Sequence, residues 1–426
     1  MFRRQKRIAF VTLGCKLNYA ESSTLSVRFA QAGYKIVAAA SGADIFVVNT
    51  CSVTEHADKK CRNIIRKLHK ISPSALIAVT GCYAQLKPSE ILGIEGVDIV
   101  AGARDKGNLF EIISDYDKKT GKVCRTCGID EIDNVFPACS SGDRTRSFLK
   151  VQDGCDYRCA YCTVPYARGH SRNIPISTIV EQAKEAASSG VKEIVLTGVN
   201  IGDFGHTTGE NFLDLLKALN DVEGVERYRI SSIEPNLLTP ETVKWIASGT
   251  KFLPHFHIPI QSGCDRILAK MHRRYNTAMF ADKIKLIRDE MEPEEERYTR
   301  VFFGIDVIVG FPGETDEDFE TTYRFLEELR PAYLHIFPYS RREGTPAAES
   351  PDQVQDIVKT KRVERLEKLC DRLHSEFCLA NKGRKATVLF ESTKKFGLMF
   401  GYTENYIRID RPYDGKLIGS LVSVTV

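Results

Sequence analysis

Six of the thirteen cysteines in this 426-residue chain stand in patterns that bind metal. Three of them, Cys155, Cys159 and Cys162, form C-x3-C-x2-C in "VQDGCDYRCAYCTVPYARG", with Tyr161 directly before the last. Thiolates at this spacing lie in one tight loop and can hold three irons of a [4Fe-4S] cluster, which leaves the fourth iron open to a substrate. A closed zinc site needs four ligands, and no nearby His or Cys completes the set. The spacing therefore favours an iron–sulfur centre of the reactive type.

Three further cysteines each end a short apolar, β-branched run. The run "VTLGC" ends at Cys15, "VVNTC" ends at Cys51 and "AVTGC" ends at Cys82. Ligands of α/β sheets bind at the carboxyl ends of the strands, so three cysteines in this position should converge. Each cysteine alone is also compatible with a small buried hydrophobe. Convergence predicts an iron–sulfur or zinc centre with one open position.

The region that carries these strand-end cysteines alternates apolar runs with helical patterns. Runs and helices follow one another at 8–13, 19–31, 44–49, 55–70, 76–80 and 97–101. Such alternation predicts parallel βα units in a doubly wound α/β domain.

Two more regions follow. From about Phe148 to Pro338 the alternation continues with other strand sequences, among them "KEIVLTG", "HFHIPI" and "FFGIDVIVGFPG", which predicts a larger α/β domain, a full or partial TIM-like (βα) barrel. The last part has short strands separated by Gly, Asp and Pro, which predicts a small antiparallel β-barrel. A polar stretch without a clear period predicts a linker between the first two regions. We therefore predict an N-terminal domain, a linker, a barrel domain and a C-terminal β-domain at 1–117, 118–143, 144–375 and 376–426.

Composition limits the class of protein. The chain is 42% hydrophobic and 27% charged with a net charge of +4, which is typical of a globular protein and excludes fibrous and disordered classes. No apolar run approaches the ~20 residues that span a bilayer, so we expect a cytoplasmic protein without a membrane partner. In a reducing compartment an odd number of cysteines argues against a disulfide framework. Seven cysteines fit neither pattern and are interpreted as packing or surface thiols: Cys61, Cys124, Cys127, Cys139, Cys264, Cys370 and Cys378.

Two local stretches have the composition of an RNA-binding surface. Residues 384–426 carry a net charge of +3 interleaved with Phe396, Phe400, Tyr402 and Tyr406. Basic groups for phosphates and aromatic rings for stacking are what a small β-fold needs to hold structured RNA, although a solvated β-surface has a similar composition. The second stretch, "KKCRNIIRKLHK", places three basic residues on one helical face, for which a merely solvated helix is the simpler interpretation: Lys59, Arg62 and Arg66.

The C-x3-C-x-aromatic-C loop is the signature of radical S-adenosylmethionine (SAM) enzymes, and the surrounding motifs resemble the methylthiotransferase family within them. The matching stretches are "QDGCDYRCAYCTVPYARG", "LTG", "SSIEP", "QSGCDRILAKMHRRY", "DVIVGFPGE" and "FPYSRREGT". The three strand-end cysteines match the first domain of that family, and the terminal β region resembles its RNA-binding TRAM domain. Within the family, "LGCKLN" and "NTCSVTEHADKKCR" are most similar to enzymes that methylthiolate N6-threonylcarbamoyladenosine (t6A) beside the tRNA anticodon.

The resemblance implies two [4Fe-4S] clusters and SAM as cofactors. Cys15, Cys51 and Cys82 would hold an auxiliary cluster that carries or donates sulfur, and the C-x3-C-x2-C cysteines would hold the cluster that cleaves SAM. One SAM would methylate a sulfur on the auxiliary cluster, and a second would give the 5′-deoxyadenosyl radical that abstracts the hydrogen from adenine C2. The implied partners are the anticodon stem-loop of tRNA and an electron donor such as a flavodoxin or ferredoxin.

Motif matching with the family also assigns residues to SAM. The set comprises the aromatic residue of the cysteine loop, the "LTG" and "SSIEP" strand ends, the polar pair that begins "QSG" and the backbone of "DVIVG": Tyr161, Thr197, Gly198, Ser232, Glu234, Gln261, Ser262, Ile308 and Val309. Polar residues at strand ends often only satisfy turns, so a structural role is the competing interpretation for each polar member.

Two alternatives differ in class. One is a radical SAM enzyme with another substrate, either isopentenyladenosine in tRNA or a ribosomal protein, or with an N-terminal cluster that only transfers electrons. The other is a zinc-containing RNA-binding protein without catalysis.

Overall fold

The computed structural model describes residues 5–142 and 145–426. Its first domain is a parallel six-stranded sheet in the order β2-β1-β3-β4-β5-β6. The strands are β1 (Arg7–Thr12), β2 (Lys35–Ile36), β3 (Ile45–Thr50), β4 (Leu76–Gly81), β5 (Val97–Ala101) and β6 (Val123–Arg125). The helices are α1 (Lys16–Gln31), α2 (Glu55–Ile71), α3 (Cys82–Leu86), α4 (Pro88–Leu92) and α5 (Leu109–Ser114).

Helices cover both faces of this sheet. One face packs Leu25 and Phe29 of α1 against the strands, and the other packs Ile65 and Leu68 of α2. The chain therefore leaves β1 and β3 towards opposite faces, which makes the crevice between their carboxyl ends the switch point where ligands bind in doubly wound folds. The predicted doubly wound domain is confirmed.

The sixth strand, β6, lies within the stretch predicted as a linker. Val123, Cys124 and Arg125 pair in parallel with β5 at the edge of the sheet. Three residues are too short to show an alternating pattern, which is why the sequence interpretation missed this strand.

The second domain contains six parallel strands in two three-stranded sheets, with the strand orders β11-β10-β7 and β12-β13-β14. Bridges between Tyr228 and Phe252 and between Ser232 and His257 join the sheets, so the strands follow one another as an open, partial barrel. A two-stranded ribbon of β8 and β9 lies beside them. The strands are β7 (Arg146–Lys150), β8 (Gln152–Asp153), β9 (Arg172–Asn173), β10 (Glu193–Thr197), β11 (Arg227–Ile230), β12 (His255–His257), β13 (Phe302–Val309) and β14 (Tyr333–Pro338).

Amphipathic helices surround this barrel and bury their apolar faces in one large core. They are α6 (Val164–Arg168), α7 (Ile176–Ser188), α8 (Phe212–Asn220), α9 (Pro240–Ala247), α10 (Asp265–Lys270), α11 (Thr277–Met291), α12 (Asp316–Leu329), α13 (Pro346–Glu349) and α14 (Asp356–Ala380). The first domain closes onto the barrel through α1, which packs against β7. In the described part of the chain, no helix has the length and apolarity that crossing a membrane requires.

The C-terminal sheet is antiparallel in the order β17-β16-β15-β18, as the sequence predicts for its class. Its strands are β15 (Lys385–Phe390), β16 (Leu398–Tyr402), β17 (Arg408–Pro412) and β18 (Leu421–Thr425). Two buried arginines of β11 attach this sheet to the barrel, since Arg227 and Arg229 donate to its backbone carbonyls at 2.7–3.0 Å. Glu193 of β10 pairs with both guanidinium groups and offsets part of their positive charge where water is excluded.

Candidate active site

The three strand-end cysteines converge at the switch point of the first sheet. Cys15 follows β1, Cys51 follows β3 and Cys82 begins α3 directly after β4. Gly14 has φ +101°, and a Cβ placed there would lie 2.6 Å from the Cys51 Cβ, so only glycine lets these two turns approach. Burial, together with the neighbouring Cys82 and Cys15, raises the pKa of the Cys51 thiol to about 12.

The second triad lies in one loop between β8 and α6. Its backbone is fixed by a hydrogen bond from the Cys162 amide to the Cys159 carbonyl (3.1 Å) and by another from the Cys155 amide to the Gly169 carbonyl (3.0 Å). Burial, with the other two cysteines as neighbours, raises the pKa of Cys162 to about 12. All three thiols therefore face one another in a protein-enclosed space.

The width of both triads decides between zinc and a larger centre. Among the described residues, neither triad brings its three sulfur atoms within 4.8 Å of one another. Thiolate sulfurs around one zinc ion lie only about 3.8 Å apart, because Zn–S bonds are ~2.3 Å long and tetrahedral. Neither triad thus has the sulfur spacing of zinc ligands, and each offers the three cysteine thiolates that an iron–sulfur cluster with one open iron requires.

The two triads are adjacent. Thr163, which follows Cys162, donates its hydroxyl to the carbonyl of Ser52, which follows Cys51, at 3.4 Å. Arg342 strengthens the same junction by donating to the Ser52 hydroxyl at 2.8 Å and to Asp58 at 2.7 Å. Residues next to a cysteine of each triad therefore touch, which makes the two triads neighbours in the fold.

A buried ion network lies beside this junction. Glu21 of α1 accepts from Lys106 at 2.6 Å, from Lys150 at 2.9 Å and from Arg168 at 3.3 Å. Asp153 binds Lys150 and Arg168 as well. Burial alone would raise the pKa of Glu21, but the three cations hold it well below its usual range.

This network joins both domains and carries one positive charge more than its carboxylates neutralise. Arg168 lies within electrostatic range of Cys82 and Cys15. A cluster bound to three thiolates is anionic, so the excess positive charge favours one at this position.

The "LTG" strand end is fixed to the start of the cysteine loop. Gln152 accepts hydrogen bonds from the amides of Val199 and Asn200, both at 2.9 Å, and donates to the carbonyl of Gly154 at 2.7 Å. Thr197 is buried at the end of β10, and a Cβ at Gly198 would lie 3.0 Å from the Gln152 Oε1. The backbone at Gly198 therefore lies close to the cysteine loop, where the resemblance expects SAM.

Asn200 is a polar residue that the sequence interpretation overlooked. Its side chain is buried, and neither its amide nitrogen nor its amide oxygen has a hydrogen-bond partner among the described residues. Buried amides without partners are rare and costly, so an unpaired one at a strand end beside a cofactor loop is the group that a polar ligand would satisfy.

Glu234 lies opposite the cysteine loop. It forms an ion pair with Arg273, whose guanidinium also donates to the Cys159 sulfur at 3.0 Å and to the Tyr161 hydroxyl at 3.2 Å. Burial raises the pKa of Glu234 despite this partner. Ser232 lies two residues earlier and bridges to His257. Arg273 thus connects a predicted SAM contact to the cysteine triad, a role that no motif in the sequence revealed.

Four predicted SAM residues remain, and they differ in how far the protein itself already engages them. Gln261 has φ +70°, which is strained for a residue with a side chain and marks the strand end as constrained. Ile308 lies partly exposed in a small apolar cluster with Tyr161, whereas the Val309 side chain is buried in the main core, leaving only its backbone for a ligand. The Ser262 hydroxyl contacts Thr322 at 3.2 Å and accepts from a neighbouring backbone amide, so protein groups already engage it.

Five polar side chains from three parts of the molecule lie near one another, and the space between them is called the polar chamber below: Lys16, His257, Asp306, His335 and Tyr406. Lys16 follows Cys15 directly, is exposed to water, and lies within electrostatic range of Asp306 and Tyr406. Asp306 lies on β13 and Tyr406 lies in the loop between β16 and β17, so the first domain, the barrel and the C-terminal region all contribute to the polar chamber. Nothing in the sequence predicted this convergence.

The thiols outside the triads fall into two groups. Cys61 is buried beside the first triad, with its sulfur 3.5 Å from the Cys51 carbonyl. The others lie elsewhere, with Cys124 exposed on the edge strand β6.

The C-terminal sheet presents only part of its predicted aromatic surface. Phe396 is 92% exposed, and Lys395 lies 5.5 Å from the centre of its ring. Tyr402 and Tyr406 instead stack on each other, and Tyr406 packs on His255 of the barrel. In the second basic stretch, Arg62 is engaged by Tyr83 and Glu90.

Comparison with known proteins agrees with this architecture. Residues 7–102 match the family model described as uncharacterized protein family UPF0004, and residues 149–326 match the radical SAM superfamily. Among solved structures, a radical S-adenosylmethionine methyltransferase from Kitasatospora setae has a TM-score of 0.59 over 81% of this chain and 77% of its own. At 15% identity this likeness shows the fold alone.

Curated relatives match over nearly the whole length. Proteins of Bacillus subtilis and Aquifex aeolicus named threonylcarbamoyladenosine tRNA methylthiotransferase are 39% and 37% identical, covering 98% and 99% of this chain and 93% and 100% of theirs. A protein of Alkaliphilus oremlandii named tRNA-2-methylthio-N(6)-dimethylallyladenosine synthase is 33% identical over 99% of this chain and 90% of its own. With two adjacent cysteine triads and this full-length similarity, the chain belongs to the radical SAM methylthiotransferase family.

Proposed function

We propose that this protein is a tRNA methylthiotransferase that installs a methylthio group on C2 of N6-threonylcarbamoyladenosine next to the anticodon. The observation that carries the proposal is the contact between Thr163 and Ser52, because it places the two cysteine triads side by side. The higher identity to the relatives named for threonylcarbamoyladenosine than to the one named for dimethylallyladenosine supports this nucleoside as substrate.

The chain would hold two [4Fe-4S] clusters, one on each triad. Cys155, Cys159 and Cys162 would hold the one that binds SAM, and the strand-end cysteines of the first domain would hold the auxiliary one. When bound, these clusters and SAM supply the radical chemistry that an unactivated adenine C–H bond requires and the sulfur that replaces its hydrogen.

Residues around the second triad would orient SAM. The unpaired Asn200 amide and the Glu234 carboxylate are the polar groups available to the charged amino-acid end of SAM. Arg273 holds Glu234 and Tyr161 in place and donates to the Cys159 sulfur, which favours the thiolate over the thiol. The apolar cluster of Tyr161, Phe311 and Ile308 would exclude water from the adenosyl side.

The RNA would be held outside the barrel by the C-terminal sheet. Its exposed lysines supply phosphate contacts, and the exposed ring of Phe396 is free to stack on a base. An electron donor such as a flavodoxin or ferredoxin would deliver electrons to the second triad.

A turnover assay with defined RNAs tests the proposal. Anaerobically reconstituted protein is incubated with SAM, a reductant and anticodon stem-loops that carry t6A, isopentenyladenosine or unmodified adenosine at the same position. We expect the methylthio product only from the t6A RNA. Product only from the isopentenyladenosine RNA would reassign the substrate, and no product from any RNA would point to a protein substrate.

A further inference from the structure

The cation of the polar chamber has no protein partner. Among the described residues, no carboxylate lies within 4.0 Å of the Lys16 ammonium, and no hydrogen bond engages it, although Asp306 lies within electrostatic range. The arginines near it differ in this respect, because Arg146 pairs with Glu391 at 2.9 Å and Arg229 pairs with Glu193 at 2.8 Å. Lys16 is therefore a cation of this chamber that forms no direct ion pair with the described residues.

The opposite wall offers hydrogen-bonding groups in one layer of three adjacent strands. His257 of β12 bonds Asp306 of β13 at 2.6 Å, and Asp306 is the register partner of His335 on β14. The two imidazole rings stack with their centres 4.8 Å apart. Burial lowers the pKa of His335, so this side chain is a neutral hydrogen-bonding group near pH 7.

These three wall residues also have the composition of a metal site, since their ligand atoms lie within 4.8 Å of one another. Lys16 weighs against that interpretation, because its ammonium has no ion-pair partner, and the one carboxylate of the wall already accepts from His257. A divalent ion would be repelled by an unpaired ammonium, whereas an anion would be attracted. The chamber therefore offers an anionic group one free ammonium opposite a hydrogen-bonding wall.

We propose that Lys16 binds the carboxylate that ends the N6 substituent of the target adenosine, while Asp306 and His335 bond the polar groups of that substituent. The proposal rests on the proposed function and names the residues that select its substrate. Lys16 follows Cys15, so the same turn would hold a sulfur site and recognise the nucleoside that receives the sulfur.

The chamber also explains why a hydrocarbon substituent would be rejected. An isopentenyl group entering this space would displace water from Lys16 and Asp306 and offer neither a hydrogen bond nor a charge in return. Sites built around buried polar groups discriminate strongly against analogues that leave those groups unpaired. A receptor for an isopentenyl group would be lined by apolar side chains instead.

Binding measurements with a matched pair of ligands test the proposal. Affinities of the reconstituted holoenzyme are measured for stem-loops carrying t6A, the same nucleoside with its carboxylate converted to a carboxamide, and unmodified adenosine. We expect wild type to prefer the t6A RNA over the carboxamide by roughly ten- to hundredfold, as befits a charge-assisted contact. Lys16→Met should bind both RNAs equally, and Lys16→Arg should restore the preference.

Controls separate recognition from damage to the neighbouring cysteine. Iron content and the visible absorption spectrum of Lys16→Met should equal those of wild type. Lys394→Met, which removes a lysine of the C-terminal β region, should lower the affinity for all three RNAs by the same factor, as the loss of a phosphate contact does.

The outcomes distinguish this proposal from the proposed function. If wild type converts and prefers the t6A RNA while Lys16→Met keeps the same preference over the carboxamide, only the role of Lys16 is overturned. If wild type binds t6A and unmodified RNA equally and converts neither, the proposed substrate fails and this inference fails with it.

Discussion

The two cysteine triads each bring three thiols together, but different levels of structure position them. Cys155, Cys159 and Cys162 come from eight consecutive residues, so one loop sets their geometry. Cys15, Cys51 and Cys82 come from three strand ends spread over 68 residues, and only the parallel sheet brings them together. Cysteines that share one loop can be identified as a site from their spacing in the sequence. Cysteines at three strand ends form a site only if the strands pair in the predicted parallel sheet.

The difference also concerns what stabilises each site. The loop triad is tied by backbone hydrogen bonds within the barrel domain and by Arg273. The strand-end triad depends on glycine turns and on the ion network that fixes α1 to the barrel. We therefore expect substitutions to separate the two sites cleanly.

The largest effect should come from removing one cysteine of each triad. Cys155→Ala should abolish both 5′-deoxyadenosine formation and methylthiolation. Cys51→Ala should abolish methylthiolation alone, because the loop triad remains intact. Iron should fall from about eight to about four atoms per chain in each variant. Liquid chromatography with mass spectrometry of the reaction mixture measures both products.

Cys61→Ala is the matched control for this pair, since Cys61 is buried beside Cys51 but lies on α2. It should retain the iron and both products. Methylthiolation by Cys51→Ala would contradict the assignment of the strand-end triad as the sulfur site.

The next largest effect concerns the ion network between the domains. Glu21→Gln keeps the shape of the side chain but leaves Lys106 buried without a carboxylate and leaves Lys150 with Asp153 alone. Breaking such a buried pair costs about 3 to 5 kcal/mol of unfolding free energy. Urea denaturation of the reconstituted protein measures the loss.

An exposed ion pair serves as the control for this network. Glu320→Gln removes the partner of Arg365 on the surface and should cost less than about 1 kcal/mol. Equal losses in the two variants would show that the network contributes no more than a surface pair.

The same network predicts how stability depends on pH. The pKa of Glu21 is lowered in the folded protein, while the unfolded chain binds this proton near the ordinary value of 4.5. Its stabilisation is therefore fully present above about pH 5 and is lost as the pH falls further. Glu21→Gln should flatten the fall in unfolding free energy below pH 5, and an unchanged slope would contradict an ionised Glu21.

The smallest expected effect concerns SAM binding beside the loop triad. Asn200→Ala should weaken SAM binding by roughly tenfold, the usual consequence of losing a buried hydrogen bond. The substitution should not destabilise the protein, because the side-chain amide of Asn200 has no protein partner among the described residues. Equilibrium binding of SAM and thermal unfolding measure the two quantities.

Asn211→Ala is the matched substitution, since Asn211 caps α8 through a 2.9 Å hydrogen bond to the Asp214 amide. It should lose about 1 kcal/mol of stability and leave SAM affinity unchanged. If Asn211→Ala weakened SAM binding while Asn200→Ala only lowered stability, Asn200 would not belong to the SAM site.

The sequence predicted those parts of the molecule that local patterns determine. Strand-like runs ending at Cys15, Cys51 and Cys82 gave the parallel sheet, and the loop spacing gave the second triad. The edge strand at Val123–Arg125 was missed because three residues carry no period. Its pairing depends on the neighbouring β5, which lies outside any local window.

Residues that act across domains could not be predicted in the same way. Glu21 reads as an ordinary helix-surface acid, and only the packing of α1 on the barrel buries it among three cations. Tyr402 and Tyr406 read as RNA-stacking rings, yet two buried arginines draw their strand ends onto the barrel. Contacts between regions distant in the chain decide these roles, and no local spacing encodes them.

Mass spectrometry of nucleosides from total tRNA of a strain lacking this gene, beside its parent, tests whether t6A is the substrate. We expect 2-methylthio-t6A to disappear and t6A to accumulate, and we expect wild type to restore the modification while Cys51→Ala and Cys155→Ala do not. Persistence of 2-methylthio-t6A, with loss of 2-methylthio-isopentenyladenosine or with no change in any tRNA nucleoside, would contradict t6A as the substrate.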